Sequence, residues 1–282
     1  MPRLLLCAAL LGLAGCSLIT EPLEERYLFR SRPVGPERFT NIVQSQEGVE
    51  EVRIATPDGA MLHGLLKRAP AAKPGERYPL VIVFGGAFRE TSWMVGWGEK
   101  PPQWGWLLVN YRGYGLSQGK PSEQALRDDA RSIYDWAAAR PDIDASNIVA
   151  LGRSLGSYVA VSLAGTRALR GVILATPFDS IAAIGEKRYP YLPLQLLVGD
   201  RYNSIDAAPA IDKPALFLLA EKDDVTPLEN GEALARAWGG PKEVHVLPDT
   251  GHRSIEYRDE YWRQIGRFLG AMLPPGGSVA AQ

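Results

Sequence analysis

The chain has 282 residues, which is enough for one large α/β domain or two small ones. Apolar residues make up 46% of it and the formal net charge is −1, as in an ordinary globular protein. The sequence has no basic excess and no run of like charges, so its composition argues against nucleic-acid binding.

The first residues have the pattern of an export signal. Arg3 carries a positive charge, and residues 4–13 form a mostly apolar run that is too short to span a bilayer. The run ends in Leu-Ala-Gly before Cys16. This arrangement resembles a bacterial lipoprotein signal, which implies that residues 1–15 are removed and that Cys16 is lipidated. An ordinary signal peptide in which a cysteine falls at the cleavage site is the alternative.

The lipoprotein resemblance also implies a location. Ser17 rather than an aspartate follows the cysteine, which in sorted lipoproteins favours the outer membrane of a diderm bacterium, facing the periplasm. We therefore expect the membrane to be a partner through the lipid anchor. Since Cys7 lies in the removed segment and Cys16 is acylated, the mature chain has no thiol for a disulfide bond.

Residues 16–48 lack clear periodicity and are interpreted as the lipidated N-terminus and a tether, free to pack on the domain surface. Residues 50–56 and 61–67 alternate polar and apolar side chains on either side of a Pro-Asp-Gly turn. This pattern predicts a β-hairpin at a sheet edge. His63 lies in its second strand and is expected to pack rather than to bind a ligand.

Strands and helices alternate through the rest of the chain. We predict strands at 80–84, 107–110, 147–151, 172–175, 214–220 and 243–247, and helices starting at Ser122 and near 155, 228 and 257. This order predicts one domain over residues 49–272, with a mostly parallel sheet and helices on both faces. Residues 273–282 are expected to form a flexible tail.

A G-x-S-x-G sequence is centred on Ser154, between a predicted strand and a predicted helix. In a nucleophile elbow, the serine occupies a sharp strand-to-helix turn in a strained conformation that exposes its hydroxyl. Such a turn leaves no room for a Cβ two residues to either side, where Gly152 and Gly156 stand. The amide of Leu155, at the start of the helix, would face a ligand bound at Ser154.

Residues 178–208 interrupt the alternation with a segment rich in tyrosine, leucine and proline. The insertion falls at the carboxyl ends of the strands, where ligands bind in such sheets. We interpret it as a small lid over an acyl pocket; an excursion without ligand contact is the alternative.

A serine hydroxyl needs a base to accept its proton and a third group to orient that base. His252 follows the strand at 243–247 directly behind a glycine, whereas His245 lies within that strand. The loop after the strand at 214–220 contains Asp223 and Asp224, both of which are candidates for the orienting acid. The chain order Ser-Asp-His is that of α/β-hydrolases.

With these motifs, residues 50–269 resemble the α/β-hydrolase superfamily. Asn-Tyr-Arg-Gly-Tyr-Gly-Leu-Ser at 110–117 is similar to a signature of the membrane-associated abhydrolase-domain proteins, which include acyl-protein thioesterases that remove palmitate. The resemblance implies Ser154 as nucleophile, His252 as base, Asp223 as orienting acid, and the amides of Leu155 and Ala87 as oxyanion hole. Residues 85–87 read Gly-Gly-Ala where many relatives have His-Gly-Asn.

The sequence therefore predicts a lipid-anchored serine hydrolase that cleaves small-molecule carboxylic esters or thioesters through an acyl-enzyme. Neither a cofactor nor a metal is implied, since the sequence has no clustered ligand spacing. Two alternatives remain: a catalytically silent envelope lipoprotein that uses the fold for binding, and a peptidase of the same fold.

Overall fold

The computed structural model describes residue 29 and residues 34–188, 191 and 201–273. The predicted signal segment, Cys16 and the tail from residue 274 onward lie outside the described residues. Within the described ranges, no helix combines the length and the apolar character needed to cross a membrane.

Within this part of the chain, eight strands form one sheet in the order β1-β2-β4-β3-β5-β6-β7-β8. Only β1 with β2 and β2 with β4 pair antiparallel, and the remaining pairs are parallel. The strands are β1 Val49–Ala55, β2 Met61–Lys67, β3 Tyr78–Phe84, β4 Gly105–Val109, β5 Ile143–Arg153, β6 Gly171–Ala175, β7 Ala215–Ala220 and β8 Lys242–Leu247.

Helices cover both faces of this sheet. The α-helices are α1 Pro36–Ser45, α2 Glu123–Ala138, α3 Leu155–Ala164, α4 Ile181–Arg188, α5 Leu228–Ala237 and α6 Asp259–Met272. Short 3₁₀ helices occupy Ser92–Glu99, Ala208–Ala210 and Ile255–Tyr257. The predicted α/β-hydrolase architecture, a mostly parallel sheet with helices on both faces, is confirmed.

The central strands are apolar on both faces because each face supports a separate core. Along β3, Leu80 and Ile82 belong to the core under α2, α3 and α5, whereas Val81 and Val83 belong to the core under α1, the 3₁₀ helix Ser92–Glu99 and α6. All seven residues of β3 are buried. Such runs are typical of parallel strands covered by helices on both sides.

The predicted tether, residues 16–48, needs correction at its C-terminal end. The structure has a helix, α1, where the sequence suggested an irregular linker. Proline at its first turn provides a helix start, since the missing N–H has no intrahelical partner there. Phe39 is fully buried and lies edge-on against the His63 ring, with ring centroids 4.3 Å apart. Helix α1 therefore packs against the sheet ahead of residue 49.

The predicted lid, residues 178–208, is described only in part, because residues 189–190 and 192–200 lie outside the described residues. The first end continues into α4. The amide of Ser204 donates to the carbonyl of Asp179 at 2.8 Å, which joins the two ends at the base of the insertion. Tyr202 packs edge-on against Tyr158 of α3, with ring centroids 5.2 Å apart.

Helix α3 lies unusually close to the sheet where it leaves β5. A Cβ added to Gly152 would overlap the backbone of Gly156, and a Cβ added to Gly156 would overlap the carbonyl of Phe84. Real Cβ atoms do not tolerate such contacts, so both positions require glycine for steric reasons. This close approach holds the start of α3 against the carboxyl ends of β3 and β5.

We expect Gly156→Ala to lower the free energy of unfolding by about 1–3 kcal/mol, because the new methyl group forces α3 away from β3. Gly266→Ala is the matched control: Gly266 is exposed on α6, and a Cβ there would meet nothing within 4 Å. Replacing a helical glycine should stabilise the control by about 0.5–1 kcal/mol. Thermal unfolding of the purified protein measures both changes, and equal melting temperatures would contradict the close packing.

Candidate active site

The candidate site lies at the carboxyl ends of the parallel strands. Strand order reverses at β3, which lies between β4 and β5, so the segments leaving β3 and β5 diverge and open a crevice. Ser154 follows β5, and Ala87 lies in the loop after β3. Asp223 and His252 follow β7 and β8, so the adjacent strand ends bring all four residues to one edge.

Ser154 has φ 53° and ψ −120°, a backbone conformation that non-glycine residues seldom adopt. Its amide donates to the carbonyl of Ala175 at 2.9 Å, and its carbonyl accepts from the amide and hydroxyl of Ser157 at 2.8 and 2.6 Å. These bonds hold the strained turn in place. They leave the Ser154 hydroxyl available to a partner outside the turn.

That partner is His252. Its Nε2 lies 3.0 Å from Ser154 Oγ, and its Nδ1 lies 2.9 and 3.0 Å from the two carboxylate oxygens of Asp223. Only 6% of the His252 side chain and 1% of the Asp223 side chain are exposed, so solvent competes little for either bond. The carboxylate favours the tautomer with the proton on Nδ1, which leaves Nε2 free to accept the serine proton.

Asp223 rather than Asp224 contacts the histidine ring. The Asp223 carboxylate also accepts from the amides of Val225 and Thr226 at 2.9 and 2.7 Å, just before α5. Asp224 is exposed. Asp223 therefore binds two backbone amides and the histidine ring together. The hydroxyl of Thr226 lies 3.1 Å from His252 Nδ1 and supports the same cluster.

Of the two residues predicted to form an oxyanion hole, Leu155 directly follows Ser154 and Ala87 lies in the loop after β3. Leu155 is the first residue of α3, so its N–H has no intrahelical acceptor. On the other side, the loop after β3 approaches so closely that a Cβ on Gly86 would lie 3.7 Å from the Cβ of Ser154. Ala87 follows Gly86, is 8% exposed and lines the same cleft.

Two tyrosines hold the loop after β3. Tyr111 donates to the carbonyl of Gly85 at 2.7 Å, and Tyr114 donates to the carbonyl of Ala87 at 2.6 Å. Burial raises the pKa of both phenols above the usual value, so both remain protonated donors. From the sequence alone, this motif was recognised only as similar to a family signature. Two tyrosines three residues apart, directly after the strand beside β3, were the available signal.

Arg153 and Glu256 form a second contact between the serine turn and the histidine loop that the sequence did not suggest. Nη2 of Arg153 donates to the backbone carbonyl of His252 at 3.0 Å and lies 3.3 Å from the carboxylate of Glu256. Their side chains are 12% and 4% exposed. One guanidinium therefore fixes the backbone on both sides of the Ser154–His252 bond.

The other two histidines lie elsewhere. His63 is fully buried, with its Nε2 3.3 Å from Glu51, and burial lowers its pKa. It packs against Phe39, as expected of a structural residue. His245 on β8 is 29% exposed, with Glu243 3.6 Å away. Among the described residues, no three His, Cys, Asp or Glu side chains are grouped so that they could hold a metal ion.

A cleft of about 280 Å³ opens onto the serine and histidine. Its apolar lining residues include Trp93, Met94 and Val225. Two exposed aromatic residues stand at its rim, Phe88 with 50% and Tyr257 with 73% of their surface accessible. The cleft can therefore accommodate a small apolar group beside the serine hydroxyl.

Comparisons with known proteins bear on this arrangement. The α/β-hydrolase domain-containing protein WAV2 of Arabidopsis thaliana is 30% identical over 274 residues, covering 88% of this chain and 85% of the relative. This chain belongs to the α/β-hydrolase superfamily. Protein bem46 of Schizosaccharomyces pombe, another relative, is 29% identical over 207 residues, 71% of this chain and 64% of that protein.

An uncharacterised Mycobacterium tuberculosis protein is 40% identical over 153 residues, and the match spans only 54% of this chain and 54% of that relative. No protein-family model matches this hydrolase-superfamily chain.

Solved structures show the same fold at low sequence identity. An α-β hydrolase from Vibrio vulnificus superposes with a TM-score of 0.69 at 22% identity, covering 88% of this chain and 92% of the other. An esterase from Pyrococcus furiosus superposes with a TM-score of 0.66 at 19% identity, covering 86% and 98%. At these identities, the likeness extends to the fold of this α/β-hydrolase chain and not to its substrate.

Proposed function

We propose that this protein is a serine hydrolase that cleaves carboxylic esters or thioesters through an acyl-enzyme. The observation that carries the proposal is the unbroken hydrogen-bonded series from Asp223 through His252 to Ser154. A base within 3.0 Å of the hydroxyl, itself oriented by a buried carboxylate, is the arrangement that converts serine into a nucleophile.

In the proposed mechanism, His252 Nε2 accepts the hydroxyl proton as Ser154 Oγ attacks the carbonyl carbon. The amides of Leu155 and Ala87 stabilise the negative oxygen of the tetrahedral intermediate. The protonated His252 then donates its proton to the leaving oxygen or sulfur, which departs and leaves an acyl-serine. Water, deprotonated by His252, then attacks the acyl-serine. The bond from the acyl carbon to Ser154 Oγ breaks, the carboxylic acid is released, and His252 returns the proton to Ser154 Oγ.

Because backbone amides supply the oxyanion hole, the proposal tolerates Gly-Gly-Ala in place of the His-Gly-Asn of many relatives. Tyr111 and Tyr114 support this view, since they bind the carbonyls of Gly85 and Ala87 and so restrain the loop that carries the Ala87 amide. A binding protein without catalytic activity would not require the hydrogen-bonded triad and the two tyrosine bonds together.

We further propose that Cys16 carries the lipid anchor and that residues 36–272 form the catalytic domain. The lipoprotein-like Leu-Ala-Gly-Cys sequence supports the first part. The buried Phe39 of α1 supports the second. On this proposal the enzyme acts at an envelope membrane, and the outer membrane facing the periplasm is the expected site.

The first prediction is that Ser154 is the residue that forms the covalent bond. A fluorophosphonate probe should label the wild-type protein at Ser154, and Ser154→Ala should remain unlabelled. Ser162→Ala, which alters a serine farther along α3, is the control and should label as the wild type does. Peptide mass spectrometry identifies the site, and labelling at another serine would overturn the assignment.

The second prediction separates the two aspartates. Asp223→Asn should lower kcat by about 10⁴, the size known for the equivalent change in a serine-protease triad, because an amide nitrogen facing Nδ1 favours the wrong tautomer. Asn can still accept the two amide bonds through its oxygen, so the loop should keep its fold. Asp224→Asn is the matched control and should change kcat by less than about threefold, since surface substitutions rarely matter. Measuring kcat of both variants on 4-nitrophenyl butyrate tests this prediction. A larger loss of kcat for Asp224→Asn would make Asp224 the orienting acid.

The third prediction concerns the anchor. Two acyl chains suffice for stable membrane attachment, since each buried CH₂ contributes about 0.8 kcal/mol. Cys16→Ala should therefore abolish lipidation and mature-form processing, while Cys7→Ala should leave both unchanged. Metabolic labelling with a fatty acid and membrane fractionation measure this. A wild-type protein that fractionates without membrane would contradict the anchor.

A further inference from the structure

The charged side chains that line the cleft are mostly basic. Three guanidinium groups, from Arg89, Arg153 and Arg253, border the space in front of Ser154, against the single carboxylate of Glu256. The charge of the cleft wall therefore differs from that of the whole chain, whose formal net charge is −1. This local excess of positive charge lies in the cleft that contains Ser154, where a substrate would be cleaved.

One of these three charges is already compensated. Arg153 lies 3.3 Å from Glu256, both side chains are largely buried, and the guanidinium also binds the His252 carbonyl. The pair belongs to the framework of the site and contributes little net charge to a ligand.

The other two arginines have no such compensation. Arg89 lies over the Trp93 ring, with its guanidinium carbon 4.8 Å from the ring centroid, and Arg253 directly follows His252. Both residues are exposed. Within the described part of the chain, neither has a carboxylate within 4.0 Å, in contrast to Arg112, which lies 2.6 Å from Asp58 and 2.7 Å from Asp129.

The direction of proton transfer indicates which part of a substrate meets these charges. His252 Nε2 must reach the leaving atom to protonate it, so the leaving group lies on the histidine side of Ser154. Arg253 belongs to that side because it is the next residue in the loop. Arg89, over the Trp93 ring, adds a second positive charge to the lining of the same cleft.

Resting on the proposed function, we propose that the cleft selects acyl esters or thioesters whose leaving group carries an anionic oxygen group, a carboxylate or a phosphate. Guanidinium groups bind both anions through paired N–H donors. Two uncompensated positive charges beside the nucleophile would also raise the local concentration of an anionic substrate.

Two matched pairs of thioesters test this, each with one butyryl group and leaving thiols that differ by one anion. S-butyryl 5-thio-2-nitrobenzoate against S-butyryl 4-nitrothiophenol isolates a carboxylate, and S-butyryl 4′-phosphopantetheine against S-butyryl pantetheine isolates a phosphate. For the wild type we expect kcat/KM to be at least about tenfold higher for the anionic member of one or both pairs, which corresponds to about 1.4 kcal/mol. The pair with the larger ratio identifies the preferred anion.

The preference should depend on the two arginines. Arg89→Gln and Arg253→Gln should each reduce the anionic-to-neutral ratio by about threefold or more, and the double variant should bring it close to one. Raising the salt concentration to about 1 M should also reduce the wild-type ratio, because screening shortens the range of the attraction to about 3 Å. Arg236→Gln is the control: it removes an exposed arginine of α5, paired with Glu232 at 3.6 Å, and should leave the ratio unchanged.

The possible results distinguish the anionic preference from the serine hydrolase activity on which it rests. Equal turnover of the neutral and anionic members by an active wild type, or a ratio that survives in the double variant, overturns the anionic preference alone. Turnover of neither member, together with an unlabelled Ser154, overturns the proposed hydrolase and this inference with it.

Discussion

The contact between the start of α3 and the end of β3 is the constraint on which the site depends. Helix α3 can approach the Phe84 carbonyl only because Gly156 has no side chain, and Gly152 makes the same approach possible from β5. The turn between these glycines forces Ser154 into its strained conformation, which neighbouring hydrogen bonds then maintain. Strain of this kind persists only when the surrounding structure over-determines it, and here two strands and a helix do so.

The loop after β3 depends on the same arrangement but is held in a different way. Its glycines provide close approach to Ser154, and their flexibility would leave the Ala87 amide poorly placed. Tyr111 and Tyr114 remove that freedom by binding the carbonyls of Gly85 and Ala87 from the neighbouring strand end. The segment that follows β4 therefore fixes the conformation of a loop whose own glycines would leave it flexible.

Much of the architecture and the central contacts of the site could be predicted from the sequence, because they follow from local patterns. Apolar runs mark the doubly covered strands, and a serine between two glycines at a strand-to-helix junction marks the elbow. The Arg153–Glu256 pair was not predicted, because its members are 103 residues apart and no local sequence pattern indicates that they are in contact. Helix α1 was not predicted, although Phe39, Ile42 and Val43 stand at helical spacing, because these three residues span only about one turn. The choice between Asp223 and Asp224 was made on family resemblance, since each carboxylate could have capped the helix.

The order of the contributing segments has a consequence for how reactivity arises during folding. Ser154 and His252 are 98 residues apart, and the site needs the parallel pairings of β3, β5, β6, β7 and β8 to be complete. Parallel pairing closes long loops and is slow compared with local helix formation. A partly folded chain can form the α3 helix early, yet its serine remains an ordinary alcohol until the last parallel strand docks and brings the imidazole. The chemistry is thus absent from every folding intermediate in which β8 has not yet paired with β7.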